Sequence, residues 1–168
     1  MPEALPIKTA LVTGAAKRLG RAIALSLADA GWDVAVHCHQ SLAAAEDTAA
    51  EIRRRGRRAT VVPADLTQES AVETIIPRAG AALGPLTCLV NNASVFEMDK
   101  IETVTRDSWD RHIETGLRAP LVLSQAFARQ LPDGAEGNIV NMLDQRVWKL
   151  TPYFLSYTVA KIDRKSVV

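Results

Sequence analysis

The sequence has few cysteines and neither a recognisable signal peptide nor a long apolar segment. Its two cysteines, Cys38 and Cys88, lie in strand-like segments and lack the spacing of a metal site or a redox pair. We therefore expect two buried thiols in a reduced compartment. The absence of targeting and membrane-spanning segments predicts a cytoplasmic protein that contacts no membrane.

The net charge is also small, at +1, which gives no electrostatic reason to expect a nucleic-acid partner. One arginine-rich stretch, at residues 53–58, has two interpretations. It is either a nucleic-acid patch or a solvated helix end, where cations meet the negative end of the helix dipole. The second is favoured. The length of 168 residues fits one domain, and the hydrophobic content of 48% predicts a folded core.

Apolar patterns typical of strands and of helices alternate along the chain, without repeats or linkers. Strands are predicted at residues 9–13, 33–38, 58–62, 87–91 and 138–143. Helices are predicted at residues 18–30, 42–55, 68–83, 106–130 and from about 152, with a break or kink at Pro77. This alternation predicts an α/β fold, a doubly wound parallel sheet whose ligands bind at the carboxyl ends of the strands.

The first predicted strand ends in a turn that runs from Thr13 to Gly20 and leads into a helix. Gly14 and Gly20 would let the backbone turn sharply and approach a ligand closely. Free N–H groups and the positive end of the helix dipole would face a phosphate. The turn is a candidate pyrophosphate site, although two glycines alone fit an ordinary strand–turn–helix equally well.

The second predicted strand has no carboxylate at its end, because Asp33 begins it. A dinucleotide domain that prefers NAD usually holds the ribose 2′-hydroxyl with an acidic residue there. With Arg18, the polar side chains at this end would surround a 2′-phosphate, which favours NADPH; alternatively, they are ordinary strand-end residues. These side chains are His37, His39, Gln40 and Ser41. A zinc site is improbable because alternate strand residues point to opposite faces and further ligands are missing.

Polar residues also follow the next two strands. Asp65, before Leu66 and Thr67, would accept a hydrogen bond from an adenine amino group, or this segment only caps the following helix. The segment after the fourth strand is small and polar, which suits a backbone pressed against a cofactor. It comprises Asn92, Ala93 and Ser94.

Asp144 follows the fifth strand, and Tyr157 and Lys161 lie four residues apart on the last predicted helix, on one face. A lysine cation beside a phenol favours the phenolate, so Lys161 would lower the pKa of Tyr157 toward a range useful for proton transfer. At this place in a dinucleotide fold, the tyrosine–lysine pair is a specific indication of catalysis.

Together these residues resemble the short-chain dehydrogenase/reductase family over about residues 7–161, which implies a Rossmann fold. The glycine turn is similar to the family's T-G-x3-G-x-G, with Arg18 at the middle glycine. Asn92-Ala93-Ser94 is similar to N-A-G, and Asp144 stands where most members carry a catalytic serine. With these departures, the sequence resembles the pteridine reductase branch of the family, which uses NADPH to reduce pterins.

The resemblance implies a role for each matching residue. Tyr157 would donate a proton as hydride arrives from the nicotinamide, Lys161 would hold the nicotinamide ribose, and Asp144 would orient or protonate the substrate. Phe96 would stack on a flat heterocycle, or is a core aromatic, and Arg18 would reach both cofactor phosphate and substrate. The implied cofactor-binding residues are Gly14, Arg18, Leu19, Gly20, His37, His39, Gln40, Ser41, Asp65, Leu66, Asn92, Ala93 and Ser94.

Two departures bear on activity and one on the extent of the domain. Gly116 stands where the family has an asparagine that helps to hold a relay water, and Gln40 replaces an arginine of the branch. Family members continue past Lys161 with two further strands, so we expect a truncated domain at residues 1–162 with an uncovered sheet edge. Residues 163–168 match the translation of a common sequencing adapter and are expected to be a non-native tail, the alternative being a natural short form.

The sequence therefore predicts an NADPH-dependent oxidoreductase that transfers hydride to a pterin-like or a carbonyl substrate, with no metal. The resemblance implies that the full-length parent is a homo-oligomer. The alternative is a non-catalytic dinucleotide-binding or regulatory protein, or an inactive fragment.

Overall fold

The computed structural model describes residues 8–163, with side chains through Ile162. These residues form a parallel five-stranded sheet in the order β3-β2-β1-β4-β5. The strands are β1 (Thr9–Val12), β2 (Asp33–Cys38), β3 (Ala59–Pro63), β4 (Cys88–Asn91) and β5 (Asn138–Asn141). The predicted α/β class and parallel sheet are confirmed, with strand ends that differ from the prediction by up to two residues. The chain order reverses between β1 and β4, where parallel sheets bind ligands.

Helices cover both faces of the sheet. They are α1 (Arg18–Asp29), α2 (Leu42–Arg54), α3 (Glu69–Leu83), α4 (Arg106–Ile113), α5 (Ala119–Gln130) and α6 (Leu155–Asp163). Alternate strand residues point to opposite faces, so Ala10 and Val12 pack with α1 and α2, whereas Leu11 packs with α3 and α5. Within the described residues, no helix is both long and apolar enough to cross a bilayer.

The long helix predicted at residues 106–130 is interrupted by a π-helical turn. This turn spans Glu114–Arg118 between α4 and α5. Gly116 lies in it, and a Cβ atom added there would stand 2.9 Å from the Cβ of Ala160 in α6. The glycine therefore lets α6 pack closely against the π-turn. Such turns often occur at functional sites.

The start of α6 also differs from the prediction. The helix begins at Leu155, because the preceding Phe154 adopts a left-handed backbone conformation with φ of +61°. Pro77 lies inside α3, which continues past it to Leu83. Of the predicted non-native tail, Asp163 is the last residue of α6, and residues 164–168 lie outside the described part of the chain.

The arginine-rich stretch is paired with acidic neighbours. Arg57 and Arg58 form ion pairs with the Asp33 carboxylate at 3.1 and 2.7 Å. Further pairs join Arg54 to Glu51 and Arg55 to Asp29. These contacts neutralise much of the local positive charge, which supports the helix-end interpretation. They also occupy Asp33 at the start of β2, far from the carboxyl end of the strand.

Candidate cofactor-binding and catalytic site

The turn after β1 depends on two left-handed backbone positions and one close packing contact. Gly14 has a φ of +64° and Arg18 a φ of +51°, and this conformation is costly for a residue with a side chain. A Cβ added to Gly20 would lie 2.2 Å from the carbonyl oxygen of Gly14 and 2.6 Å from Nδ2 of Asn92. The turn therefore requires glycine at position 20 and tolerates strain at Arg18.

The segment after β4 fixes this turn to the sheet. The hydroxyl of Thr13 accepts hydrogen bonds from the N–H groups of Asn92 and Ala93 at 2.9 and 3.0 Å. In return, the Asn92 side-chain amide donates to the carbonyl oxygen of Thr13 at 2.8 Å and to that of Gly14 at 3.4 Å. Asn92 thus supports the loop through its side chain.

His37 lies near the end of β2, as predicted, but its ring has a different role. Its Nδ1 accepts a hydrogen bond from the N–H of Gly14 at 3.1 Å, so Nε2 carries the proton and donates to the carbonyl oxygen of Ala64 at 3.1 Å. Burial lowers the pKa of His37 to about 4, which keeps the ring neutral. Both nitrogens have backbone partners, so His37 cannot surround a 2′-phosphate; it ties the glycine turn to the end of β3.

The other polar residues at the end of β2 line an open hollow beside the glycine turn. His39, Gln40 and Ser41 lie there together with Lys17. Ser41 is the N-cap of α2, and the first N–H groups of a helix have no partner within that helix. The hollow therefore combines a lysine cation with a helix N-terminus, an arrangement suited to an anion.

A cavity of about 540 Å³ opens at the carboxyl ends of the strands, where the strand order reverses. The predicted residues in its lining are Gly14, Arg18, Leu19, Gly20, His37, His39, Asp65, Leu66, Asn92, Ala93 and Ser94. Residues in its lining that were not predicted are Lys17, Thr67, Val95, Arg111 and Thr115. With Gln40 and Ser41 in the adjoining hollow, the structure brings the predicted cofactor-binding residues to one place. The size and location suit a nucleotide.

Asp65 shapes one wall of the cavity. Its Oδ1 accepts hydrogen bonds from the N–H and hydroxyl of Thr67 at 2.9 and 2.8 Å, while its Oδ2 lies 3.7 Å from Nε2 of His39. Burial opposes ionisation, but the Thr67 hydrogen bonds and His39 hold the pKa of Asp65 below its usual range. The N-cap of α3 is Gln68, so Asp65 and Thr67 form a turn before the helix and do not cap it.

Asp144, Tyr157 and Lys161 meet near the end of β5, as their spacing predicts. The Tyr157 hydroxyl donates to Oδ2 of Asp144 at 3.0 Å. The Nζ of Lys161 lies 5.6 Å from the centre of the Tyr157 ring and donates to the carbonyl oxygen of Met142 at 2.8 Å. Asp144 follows β5 by three residues and accepts a hydrogen bond from the N–H of Arg146 at 2.9 Å.

The pKa of Tyr157 moves in the direction opposite to the expectation. Burial and the neighbouring Asp144 carboxylate raise it to about 12, outweighing the lowering effects of Arg146 and of a hydrogen bond with Ser94. Although burial of Asp144 opposes its ionisation, hydrogen bonds from Arg146 and Tyr157 keep the pKa of this carboxyl below its usual range. The pair is therefore a neutral phenol that is hydrogen-bonded to a carboxylate.

Phe96 and Arg146 lie beside this pair. The Phe96 side chain is 53% exposed, which contradicts the core alternative. Its ring stacks on that of Phe154 with the ring centres 4.3 Å apart, and it packs edge-to-face with Tyr157 at a centre-to-centre distance of 4.8 Å. The guanidinium of Arg146 lies 5.2 Å from the centre of the Phe96 ring. The site thus has a flat aromatic wall next to the Tyr157 phenol.

Some of these residues carry no recognisable sequence signal. Arg111 and Thr115 reach the cavity from α4 and the π-turn, and Arg146 belongs to the short 3₁₀ turn Gln145–Val147. Lys17 did carry a signal, since it is a cation inside the glycine turn. Among residues 8–163, no group of three or more His, Cys, Asp or Glu side chains is placed to hold a metal ion.

Residues 8–163 match the family described as short chain dehydrogenase. The chain belongs to this family. A short-chain type dehydrogenase/reductase from Picea abies is 33% identical over 163 residues, covering 92% of this chain and 60% of that protein. The 3-oxoacyl-(acyl-carrier-protein) reductase FabG from Staphylococcus aureus is 33% identical over 135 residues, covering 80% and 55%.

Solved structures of similar proteins share the same architecture. The crystal structure of FolM alternative dihydrofolate reductase 1 from Brucella canis, complexed with NADP, is 42% identical with a TM-score of 0.89. The match covers 92% of this chain and 63% of the Brucella chain. The chain spans between half and two thirds of the length of these relatives.

Proposed function

We propose that this short chain dehydrogenase binds NADPH and reduces a flat, pterin-like or dihydrofolate-like substrate, with Tyr157 as the proton donor. The position of the Tyr157 hydroxyl carries the proposal. The hydroxyl is hydrogen-bonded to Asp144 and lies within hydrogen-bonding reach of Ser94, which lines the cavity next to the glycine turn. Reduction of a double bond requires such a proton source, because hydride addition leaves a negative charge.

NADPH is favoured over NADH by the groups at the end of β2. Bound NADPH would supply the hydride. Lys17, His39 and the first N–H groups of α2 would hold the 2′-phosphate, whereas Asp33 lies at the far end of the strand and is paired with two arginines. The NADP in the Brucella structure supports the same choice.

The pairing of Tyr157 with Asp144 keeps the proton on the phenol before the reaction. A phenol with a pKa of about 12 stays protonated at neutral pH, so its proton is always available. The carboxylate accepts the hydroxyl proton in a 3.0 Å hydrogen bond and disfavours the phenolate, which opposes release of the proton to substrate but promotes reprotonation after each transfer. Lys161, 5.6 Å from the ring centre, would contact the nicotinamide ribose and offset part of the negative charge.

A flat heterocycle is favoured as substrate by the aromatic wall beside Tyr157. Phe96 is half exposed and forms, with the Phe154 ring and the Arg146 guanidinium, a stacked group against which a planar ring system would lie. The 42% identity with the alternative dihydrofolate reductase of Brucella canis points the same way. The 33% identity with a 3-oxoacyl reductase favours a carbonyl substrate as the second candidate.

The test follows NADPH oxidation by wild type and Tyr157→Phe with dihydrobiopterin, dihydrofolate and simple ketones in turn. We expect turnover with the two heterocycles and a rate about 10²- to 10⁴-fold lower in Tyr157→Phe, with unchanged NADPH affinity. Turnover confined to ketones contradicts the substrate proposal. NADPH binding without any turnover supports a non-catalytic dinucleotide-binding protein instead.

A further inference from the structure

Three buried polar residues lie behind Tyr157, outside the cavity. Asp99, His112 and Ser156 are 3%, 2% and 0% exposed. They come from the loop after β4, from α4 and from α6, and no step of the proposed reaction uses them. Buried polar groups are costly unless they are hydrogen-bonded, so their partners indicate what they do.

Asp99 caps α6 from a distant part of the chain. Its backbone carbonyl oxygen accepts hydrogen bonds from the N–H groups of Phe154 and Leu155 at 2.8 and 3.5 Å. Its Oδ1 accepts from the N–H of Ser156 at 3.2 Å, and its Oδ2 accepts from the Ser156 hydroxyl. A carboxylate at this end also interacts favourably with the helix dipole. Asp99 thus accepts hydrogen bonds from the backbone N–H groups of all three residues that precede Tyr157.

His112 completes this arrangement. Its Nε2 accepts a hydrogen bond from the N–H of Glu97 at 3.2 Å, so the proton resides on Nδ1. Nδ1 lies 2.8 Å from both the carbonyl oxygen of Ser108 and the Ser156 hydroxyl oxygen. Because the hydroxyl proton points to Asp99, and the group is fully buried, Ser156 is not an activated nucleophile despite its histidine and aspartate neighbours.

We infer that Asp99, His112 and Ser156 are positioning residues that fix the first turn of α6 and thereby direct the Tyr157 hydroxyl toward Asp144. Tyr157 follows Ser156 directly in the chain, so a rotation or shift at Ser156 moves the phenol. The centres of the His112 and Tyr157 rings also lie 6.3 Å apart, in an edge-to-face arrangement. The inference rests on the proposed function for its catalytic meaning, but its geometric content is measurable without turnover.

The test records the carbon NMR resonance of the phenol Cζ, which reports on the hydrogen bond of the hydroxyl. The chain has two tyrosines, so selective tyrosine labelling in a Tyr153→Phe background leaves Tyr157 alone. In this background, Asp144→Ala provides the resonance of a phenol without its carboxylate. Ser156→Ala is the test variant. Ser108→Ala is the matched control, because its hydroxyl donates to the same Oδ2 of Asp99 at 2.9 Å but lies on α4.

We expect Ser156→Ala to move the Tyr157 resonance toward that of Asp144→Ala, and Ser108→Ala to leave it near the wild-type value. Where the wild type turns over, Ser156→Ala should lower kcat about 10-fold or more with unchanged KM for NADPH. A folded Ser156→Ala protein with an unchanged resonance overturns the inference, whatever the activity. Should Ser156→Ala not fold, Asp99→Asn replaces it and must move the resonance in the same direction, and an unchanged resonance there overturns the inference equally.

Discussion

At the scale of single residues, the Tyr157–Asp144 pair governs the proposed proton transfer. Burial and the Asp144 carboxylate raise the pKa of the phenol, and Asp144→Asn retains a hydrogen-bond acceptor but removes the negative charge. We therefore expect the pKa of Tyr157 to fall from about 12 toward 10.0. Ultraviolet absorbance of the phenolate during a pH titration, in a Tyr153→Phe background, measures it. Asp110→Asn, a surface carboxylate paired with Arg106, is the control, and an unchanged midpoint in Asp144→Asn contradicts the pairing.

The buried ring of His37 makes a second prediction, on the pH dependence of stability. Its folded-state pKa of about 4 lies below its ordinary value of 6.5, so the unfolded chain binds the proton first on acidification. Its contribution to the free energy of unfolding is fully present above pH 6.5 and is lost as the pH falls through about 4. The loss amounts to about 3 kcal/mol at most.

Denaturant unfolding at a series of pH values checks this prediction. The slope of stability against pH between 4 and 6.5 should flatten in His37→Gln, which cannot titrate, and should persist in His39→Gln, whose side chain is largely exposed. A wild-type slope in His37→Gln would show that other groups cause the acid sensitivity. It would also contradict the conclusion that His37 is uncharged and hydrogen-bonds the glycine turn.

At the scale of elements, the β1–α1 turn is the part of the fold least tolerant of added volume. In Gly20→Ala, the new methyl group would meet the carbonyl oxygen of Gly14 and the Asn92 amide, so the turn must open. We expect a destabilisation of about 1–3 kcal/mol and loss of nucleotide binding. Thermal unfolding and NADPH titration measure the two effects.

Gly80→Ala is the matched control for this substitution. Gly80 lies within α3, and a Cβ there meets nothing within 4 Å among the described residues. Alanine is the better helix former, so this variant should gain about 0.5–1 kcal/mol and bind NADPH normally. Equal behaviour of the two alanine variants would contradict the steric account of Gly20.

Individual strands and helices also show where sequence patterns predict secondary structure correctly and where they do not. β1 and β4 were predictable because the short apolar runs at residues 10–12 and 88–90 fit buried parallel strands. The π-turn at Glu114–Arg118 was not, because a single widened turn leaves the helical pattern on both sides intact. The late start of α6 depends on Phe154 and its contact with Asp99, which lies far away in the chain.

At the scale of the whole molecule, the strand-end rule was the most informative part of the sequence. It predicted that Gly14, Asp65 and Ser94 lie close together although they are far apart in the chain, and all three line one cavity. The chemical surroundings of each group were harder to predict, because they depend on burial and on distant partners. For this reason His37 was misassigned as a phosphate ligand, and the pKa of Tyr157 was predicted in the wrong direction.

The central claim, that the cavity and its adjoining hollow hold NADPH, is tested most directly by comparing NADPH and NADH binding in calorimetric titrations. We expect wild type to bind NADPH about 10-fold more tightly or better, since a charge-assisted contact contributes about 1.5–3 kcal/mol. Lys17→Ala should lose most of this preference, whereas Lys100→Ala, which changes a cation outside the cavity, should keep it. Equal wild-type affinities for the two nucleotides, or binding of neither, would contradict the account.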